Sequence, residues 1–206
     1  MAYIRLIARP RGVLRRYVWR YSRRAFGSVV EPVRAAAHHS GVLVAAGAIE
    51  TVAGRGWRKV DPQLRQLVIH AVSAGVGCSW CIDYGYYEGV QRGVDPAKLR
   101  QVPRWRESAV FDDRERTALE FAEAVTLTPA HVPGELAERL HQYFTDAELV
   151  ELAAWIALEN YRSRFNAALG LRSEGFSDRC EPRPVRAEAG AAAAGAAAAV
   201  DLTSDG

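Results

Sequence analysis

The sequence predicts an all-α protein, and three observations carry that prediction. Helix-start and helix-stop residues recur along the chain: Asp61-Pro62, Asp95-Pro96, Thr145 with Glu148, Gly93 and Gly170. Between them apolar residues return at intervals of three and four, the period of one helical face. No stretch alternates apolar and polar residues between turn signals, as a half-buried strand would.

In chain order, residues 1–30 read as a basic arm. Residues 1–34 hold Arg5, Arg9, Arg11, Arg15, Arg16, Arg20, Arg23, Arg24 and Arg34 against one acid, Glu31. That segment carries +8 and leaves −5 to the rest of a chain whose total is +3. Its arginines are interleaved with Tyr17, Val18, Trp19 and Tyr21, so the arm is expected to pack on the domain or an assembly, with contact to an anionic membrane surface as the alternative. No nucleic-acid partner is expected.

The domain is expected over residues 31–180. An apolar helix spans about 41–52. Asp61 caps the next, with Pro62 at its first position and Leu64, Leu67, Val68, Ala71 and Val72 on one face. Gly75 and Gly77 weaken that helix, and another runs from the cysteine pair to about Arg92, with Gly93 as its stop. A helix starts near Asp112-Asp113, a shorter one covers 133–144, and Thr145 with Glu148 has the spacing of a capping box. This box opens the longest helix, whose stripe of Leu149, Leu152, Ala153 and Ile156 faces a core. Residues 181–206 are rich in Ala and Gly and poor in large apolar side chains, so they read as a disordered tail.

At 206 residues, 49% of them apolar, the chain suits one compact domain. No apolar run approaches the roughly 20 residues that span a bilayer, and no secretory h-region precedes a cleavage site. The expected location is the cytoplasm.

The stretch GCSWCIDYGYYEG places Cys78 and Cys81 three positions apart, and the only other cysteine is Cys180. A helix N-terminus lowers a thiol pKa through the backbone dipole, and a spacing of three puts both sulfurs on one helical face. The chemistry admits three readings: a redox dithiol, two small core residues, or half of a metal site. For a metal, ligands are short: there is no second Cys-x-x-Cys, and His70, His131 and His141 stand alone. No metal and no cofactor are expected.

Two blocks, DPQLRQLVIHAVSAGVGCSWCIDYGYYEGVQRG and DAELVELAAWIALENYRSRFNAALGL, resemble the carboxymuconolactone decarboxylase and alkylhydroperoxidase D-like family over about residues 30–180. The resemblance implies an all-helical bundle that assembles into trimers or hexamers. For dithiol members it implies reduction of hydroperoxides without flavin or metal, re-armed by a dithiol reductant, with Cys81 attacking and Cys78 resolving. The family also contains decarboxylases that lack the cysteine pair.

The departures from that pattern are specific. Dithiol members place a histidine four residues after the second cysteine and a glutamate twelve before the first; here those positions are Gly85 and Gln66. Neither residue takes up a proton at neutral pH. His70, one turn beyond Gln66 on the same helical face, is the candidate replacement base, ahead of Asp83, Tyr84 and Glu88. Gln66, Tyr84, Asn160 and Arg164 are candidate pocket residues. Glu159, Arg162 and Asn166 share the polar end of the last helix and are expected to line the pocket or an interface.

The function expected is therefore a thiol peroxidase. Its alternatives are a decarboxylase- or isomerase-type enzyme gripping a small carboxylate through Arg162 or Arg164, and a non-catalytic oligomer with a sensing disulfide.

Overall fold

The computed structural model describes residues 2–180, and the tail expected over 181–206 lies outside them. Those residues form nine α-helices, two short 3-10 turns and no strand. The fold class is all-α.

The basic segment contains α1, Val13–Phe26, which stops where Gly27 turns left-handed at φ 77°. Its Trp19 is buried against Ala36, Ala37 and Leu43, while Arg16, Arg20, Arg23 and Arg24 stay exposed. Arg15 reaches across to donate to the Ala37 carbonyl at 2.8 Å. Two helices follow, α2, Glu31–Ala36, and α3, Ser40–Gly56. The ring of His39 opens α3 by accepting the Val42 amide at 3.2 Å, the service a capping side chain performs.

The centre of the bundle is α4, Pro62–Val76. Asp61 Oδ1 accepts the amides of Gln63 and Leu64 at 2.9 and 3.0 Å, so the expected start signal is the observed cap. Capping boxes likewise open α7, Asp113–Thr126, through Asp112 and Glu115, and α9, Asp146–Ala168, through Thr145 and Glu148. Leu64, Val68 and Val72 from α4 meet Ala118, Phe121 and Ala122 from α7 and Leu152 and Ile156 from α9. Leu136 and Leu140 of α8, Gly134–Tyr143, close that core. Full burial of one such large aliphatic side chain contributes about 1.5–3 kcal/mol, so this layer fixes α4 against α9.

Against both α4 and α9 packs α5, Ser79–Gln91. Gly77, at φ 75°, ends α4 and lets the chain reverse directly into it. At the far end α6, Pro96–Gln101, approaches α5 so closely that a Cβ on Gly89 would lie 2.8 Å from Leu99 Cδ1.

Residues 173–177 are drawn onto α5 by one carboxylate. Asp83 accepts from the Ser173 hydroxyl at 2.8 Å, from the amides of Glu174, Phe176 and Ser177 at 3.0, 3.0 and 2.8 Å, and from the Ser177 hydroxyl at 2.7 Å. Burial pushes its carboxyl pKa up, but these donors outweigh burial and hold it below the usual range. The latch seats Phe176, fully buried, in one cluster with Cys78, Trp80 and Cys81. Asp83→Ala should lower the unfolding free energy by about 2–4 kcal/mol, because it orphans five donors at once, the buried Phe176 amide among them. Urea unfolding checks this, and a loss under about 0.5 kcal/mol, the surface-substitution range, would contradict the latch.

Candidate functional site

The first turn of α5 brings the two thiols together. Cys78 is the N-cap and Cys81 stands three residues on, so the Cys78 sulfur accepts the Cys81 amide at 3.3 Å. The sulfurs are 2.6 Å apart. Both side chains are enclosed, Cys78 at 1% exposure and Cys81 at 5%. Closing a disulfide between them therefore asks for side-chain adjustment and no refolding.

Ionisation is shared unequally. The Cys81 thiol at hydrogen-bond distance lowers the Cys78 pKa to about 7, working against burial and helped by the Cys81 amide. Cys81 is pushed up, first because it is the thiol that supplies that hydrogen bond and then by burial and the nearby Glu159 charge. The pair therefore loses one proton readily and holds the second.

One face of α9 completes the site. Asn166 donates to the Cys81 sulfur at 3.3 Å. One turn back, Ser163 influences both thiols through its hydroxyl and donates to Glu159 Oε1 at 2.8 Å. Glu159 is buried at 3% exposure and also accepts from the Ser73 hydroxyl of α4 at 2.9 Å. Burial pushes its pKa above the usual carboxylate range against the pull of Arg162, whose Nη1 lies 3.1 Å from Oε2. Arg162 in turn pairs with Glu50 on α3.

The other wall is aromatic. Trp80 stacks on Tyr84 with centroids 5.2 Å apart, and Phe26, Tyr87 and Phe176 meet Tyr84 edge-on or tilted. Burial raises the Tyr84 pKa, so its phenol stays protonated.

Of the residues singled out from sequence, the structure gathers Cys78, Cys81, Tyr84, Glu159 and Asn166. Gln66 donates to the Gly85 carbonyl at 3.2 Å, and its Oε1 has no hydrogen-bond partner. His70 lies beside the same glycine: a Cβ on Gly85 would stand 3.3 Å from its Nδ1, which is also buried without a partner. His70 makes no hydrogen bond to either sulfur, and burial lowers its pKa to about 4, too acidic to hold a thiol's proton at neutral pH.

Asn160 and Arg164 serve another junction. Asn160 donates to Thr126 Oγ1 at 3.1 Å, and Arg164 donates to the Thr126 carbonyl at 2.8 Å and to Asn160 Oδ1 at 3.2 Å. They tie α9 to the end of α7. Asp83 is the latch described above, Glu88 pairs with Arg92 on the outside of α5, and Cys180 packs in a different cluster, beside α6. Ser73 and Ser163 were not singled out from sequence. The signal available for Ser163 was its position, since Leu152, Ile156, Glu159, Ser163 and Asn166 follow one another at helical spacing on one face. Among the described residues no cluster of three or more His, Cys, Asp or Glu side chains is placed to hold a metal, and no helix is long and apolar enough to cross a membrane.

Fold and site define an all-helical protein with an enclosed Cys-x-x-Cys dithiol at a helix N-terminus. The carboxymuconolactone decarboxylase family profile matches residues 37–124. Over 164 residues the chain is 33% identical to the uncharacterized protein YnjA of Escherichia coli (strain K12), covering 80% of this chain and 90% of that one. This chain belongs to the carboxymuconolactone decarboxylase family. In fold it resembles a cysteine-to-alanine variant of the debrominase Bmp8 in complex with 2,3,4-tribromopyrrole, with TM-score 0.74 and 20% identity over 87% of this chain and 97% of that one. It also resembles the alkylhydroperoxidase AhpD core of an uncharacterized peroxidase-related protein from Ralstonia eutropha JMP134, with TM-score 0.71 and 21% identity over 84% and 96%.

The buried neutral His70 makes stability depend on pH. Its pKa is near 4 when folded and about 6.5 when unfolded, so its protonation favours the unfolded chain as pH falls. Its full contribution is present above about pH 6.5, declines below that and is lost by about pH 4, to a total on the order of 3 kcal/mol. Urea titrations from pH 7.5 to 4.5 should show a smaller loss in His70→Gln than in the wild type; parallel losses would place His70 in a solvated site.

Proposed function

We propose that this protein is a thiol-dependent peroxidase that reduces hydroperoxides through Cys78 and Cys81. The observation that carries the reading is a buried dithiol at a helix N-terminus whose first ionisation lies near pH 7. The resemblance gave the attack to Cys81; the local hydrogen bonds favour Cys78, because the Cys81 thiol and amide both stabilise charge on its sulfur. In this reading the Cys78 thiolate attacks the peroxide oxygen, the O–O bond breaks, and the alkoxide takes a proton and leaves as alcohol. Cys81 then displaces hydroxide from the Cys78 sulfenic acid, forming the disulfide, and its own proton leaves in the water. A dithiol reductant returns both thiols.

The carboxylate-binding alternative has weaker support, since Arg162 is engaged by Glu159 and Glu50 and Arg164 by Asn160 and Thr126. A second dithiol reading draws on the aromatic wall of Trp80, Tyr84, Tyr87 and Phe176 and on the debrominase fold neighbour. There the dithiol would supply two electrons to a haloaromatic, releasing halide and leaving the disulfide.

The chain is also read as a homo-oligomer. Helix α3 leaves Val44, Ile49 and Val52 exposed on a mostly apolar helix, which suits packing against a second copy. Sedimentation of the wild type should give a trimer or hexamer, and Val44→Glu with Ile49→Glu should shift it towards monomer; an unchanged distribution would move the interface elsewhere.

With hydroperoxide and a dithiol reductant, either Cys78→Ser or Cys81→Ser should lower turnover at least about 100-fold, as loss of a nucleophile or its partner does. Cys81→Ser should accumulate a sulfenic acid on Cys78 that dimedone captures. Capture on Cys81 in Cys78→Ser would reverse the roles, and peroxide consumption that survives both substitutions would overturn the reading. Halide release from a bromopyrrole without peroxide turnover would favour the second reading.

A further inference from the structure

We infer that Glu159, acting through the Ser163 hydroxyl, accepts the proton of the dithiol and so fills the role left vacant by Gly85 and Gln66. The inference rests on the dithiol being reactive, as in the reading above, but not on its oxidant being a peroxide. Four observations meet at this carboxylate. It is buried at 3% exposure, and Ser163 is fully buried beside it. The Ser163 hydroxyl donates to Glu159 Oε1 at 2.8 Å and favours the ionised form of both thiols. Ser73 holds the same oxygen at 2.9 Å, which fixes the carboxylate's orientation. Asn166, one turn beyond Ser163, reaches the Cys81 sulfur, so this face of α9 is aimed at the pair.

The groups facing Glu159 are Arg162 from its own helix, with Glu50 of α3 behind it, Ser73 from α4, and the two thiols of α5. Arg162 keeps a buried carboxylate tolerable, and burial keeps its proton affinity high. The step is a double proton shift. The Cys78 thiol gives its proton to Ser163 Oγ while Ser163 gives its own to Glu159 Oε1, leaving a thiolate, an intact serine and a neutral carboxylic acid. No electron changes hands. Before the shift Ser163 donates to the carboxylate; after it, the hydroxyl donates to the thiolate and accepts from the acid. In the peroxide reaction the same acid returns its proton to the departing alkoxide.

Reading thiol ionisation as the rate of iodoacetamide alkylation of the reduced protein against pH, from 4.5 to 9, tests this without any peroxide. The wild type should rise in two steps, levelling off on the acid side, because the thiolate with a protonated Glu159 carries the same number of protons as the thiol with an ionised one. Glu159→Gln should give a single step whose rate falls about tenfold per pH unit below its midpoint. Ser163→Ala keeps the charge but removes the bridge, so the acid-side level should drop at least about threefold, with Ser163→Thr restoring it. Circular dichroism checks that each variant is folded, and the Ser163 pair carries the test if Glu159→Gln does not fold. A single step in the wild type overturns the inference. So does a Glu159→Gln profile that keeps the acid-side level and both steps, the result for a bystander charge. Two-step alkylation with no peroxide turnover would leave the relay standing and remove the peroxidase reading.

Discussion

The clamp on the first turn of α5 is the constraint on which the rest of the site depends. Three elements hold it: α4, α9, and residues 173–177 drawn down by Asp83. The clamp makes Cys78 an N-cap, sets its sulfur against the Cys81 amide and thiol, and keeps water from the pair. Burial alone would raise both thiol pKa values. At Cys78 the hydrogen bonds outweigh it, and at Cys81 the bond supplied to Cys78 adds to it. A helix terminus therefore converts two similar side chains into an unequal pair.

The vacant family positions are filled in space, though not by residues of the same chemistry. Gly85 leaves room on α5 that the His70 ring occupies, with Gln66 bonded to the carbonyl beside it. Burial makes that ring a neutral packing group with poor proton affinity. The polar chemistry instead sits across the dithiol on α9, where Glu159, Ser163 and Asn166 replace the apolar stripe that runs from Leu152 to Ile156. Charge balance extends outward from there through Arg162 to Glu50, linking the site to α3.

Much of the fold was legible because its signals are local. Asp61-Pro62, Thr145 with Glu148, and Gly93 act within a turn or two of themselves, and the structure uses each as a cap, a box or a left-handed stop. The family blocks and the thiol pair were legible for the same reason. The site's polar half was only partly so. Glu159 and Asn166 drew attention as polar residues in an apolar helix, whereas Ser163 is an ordinary helix residue until a carboxylate and two sulfurs surround it. Asn160 and Arg164 look the same in sequence but point to the end of α7, because a hundred degrees of helical rotation per residue separates them from the dithiol face. Asp83 could be read only as a local cap, since its partners lie about ninety residues downstream.

The most direct measurement of the central claim, that this dithiol is a two-electron redox centre, is mass analysis of the fully reduced protein after one equivalent of an organic hydroperoxide. The predicted result is a protein lighter by two hydrogens, one disulfide joining Cys78 to Cys81, Cys180 still a thiol, and one alcohol formed per chain. Unchanged thiols with the peroxide intact, or a disulfide that involves Cys180, would contradict it.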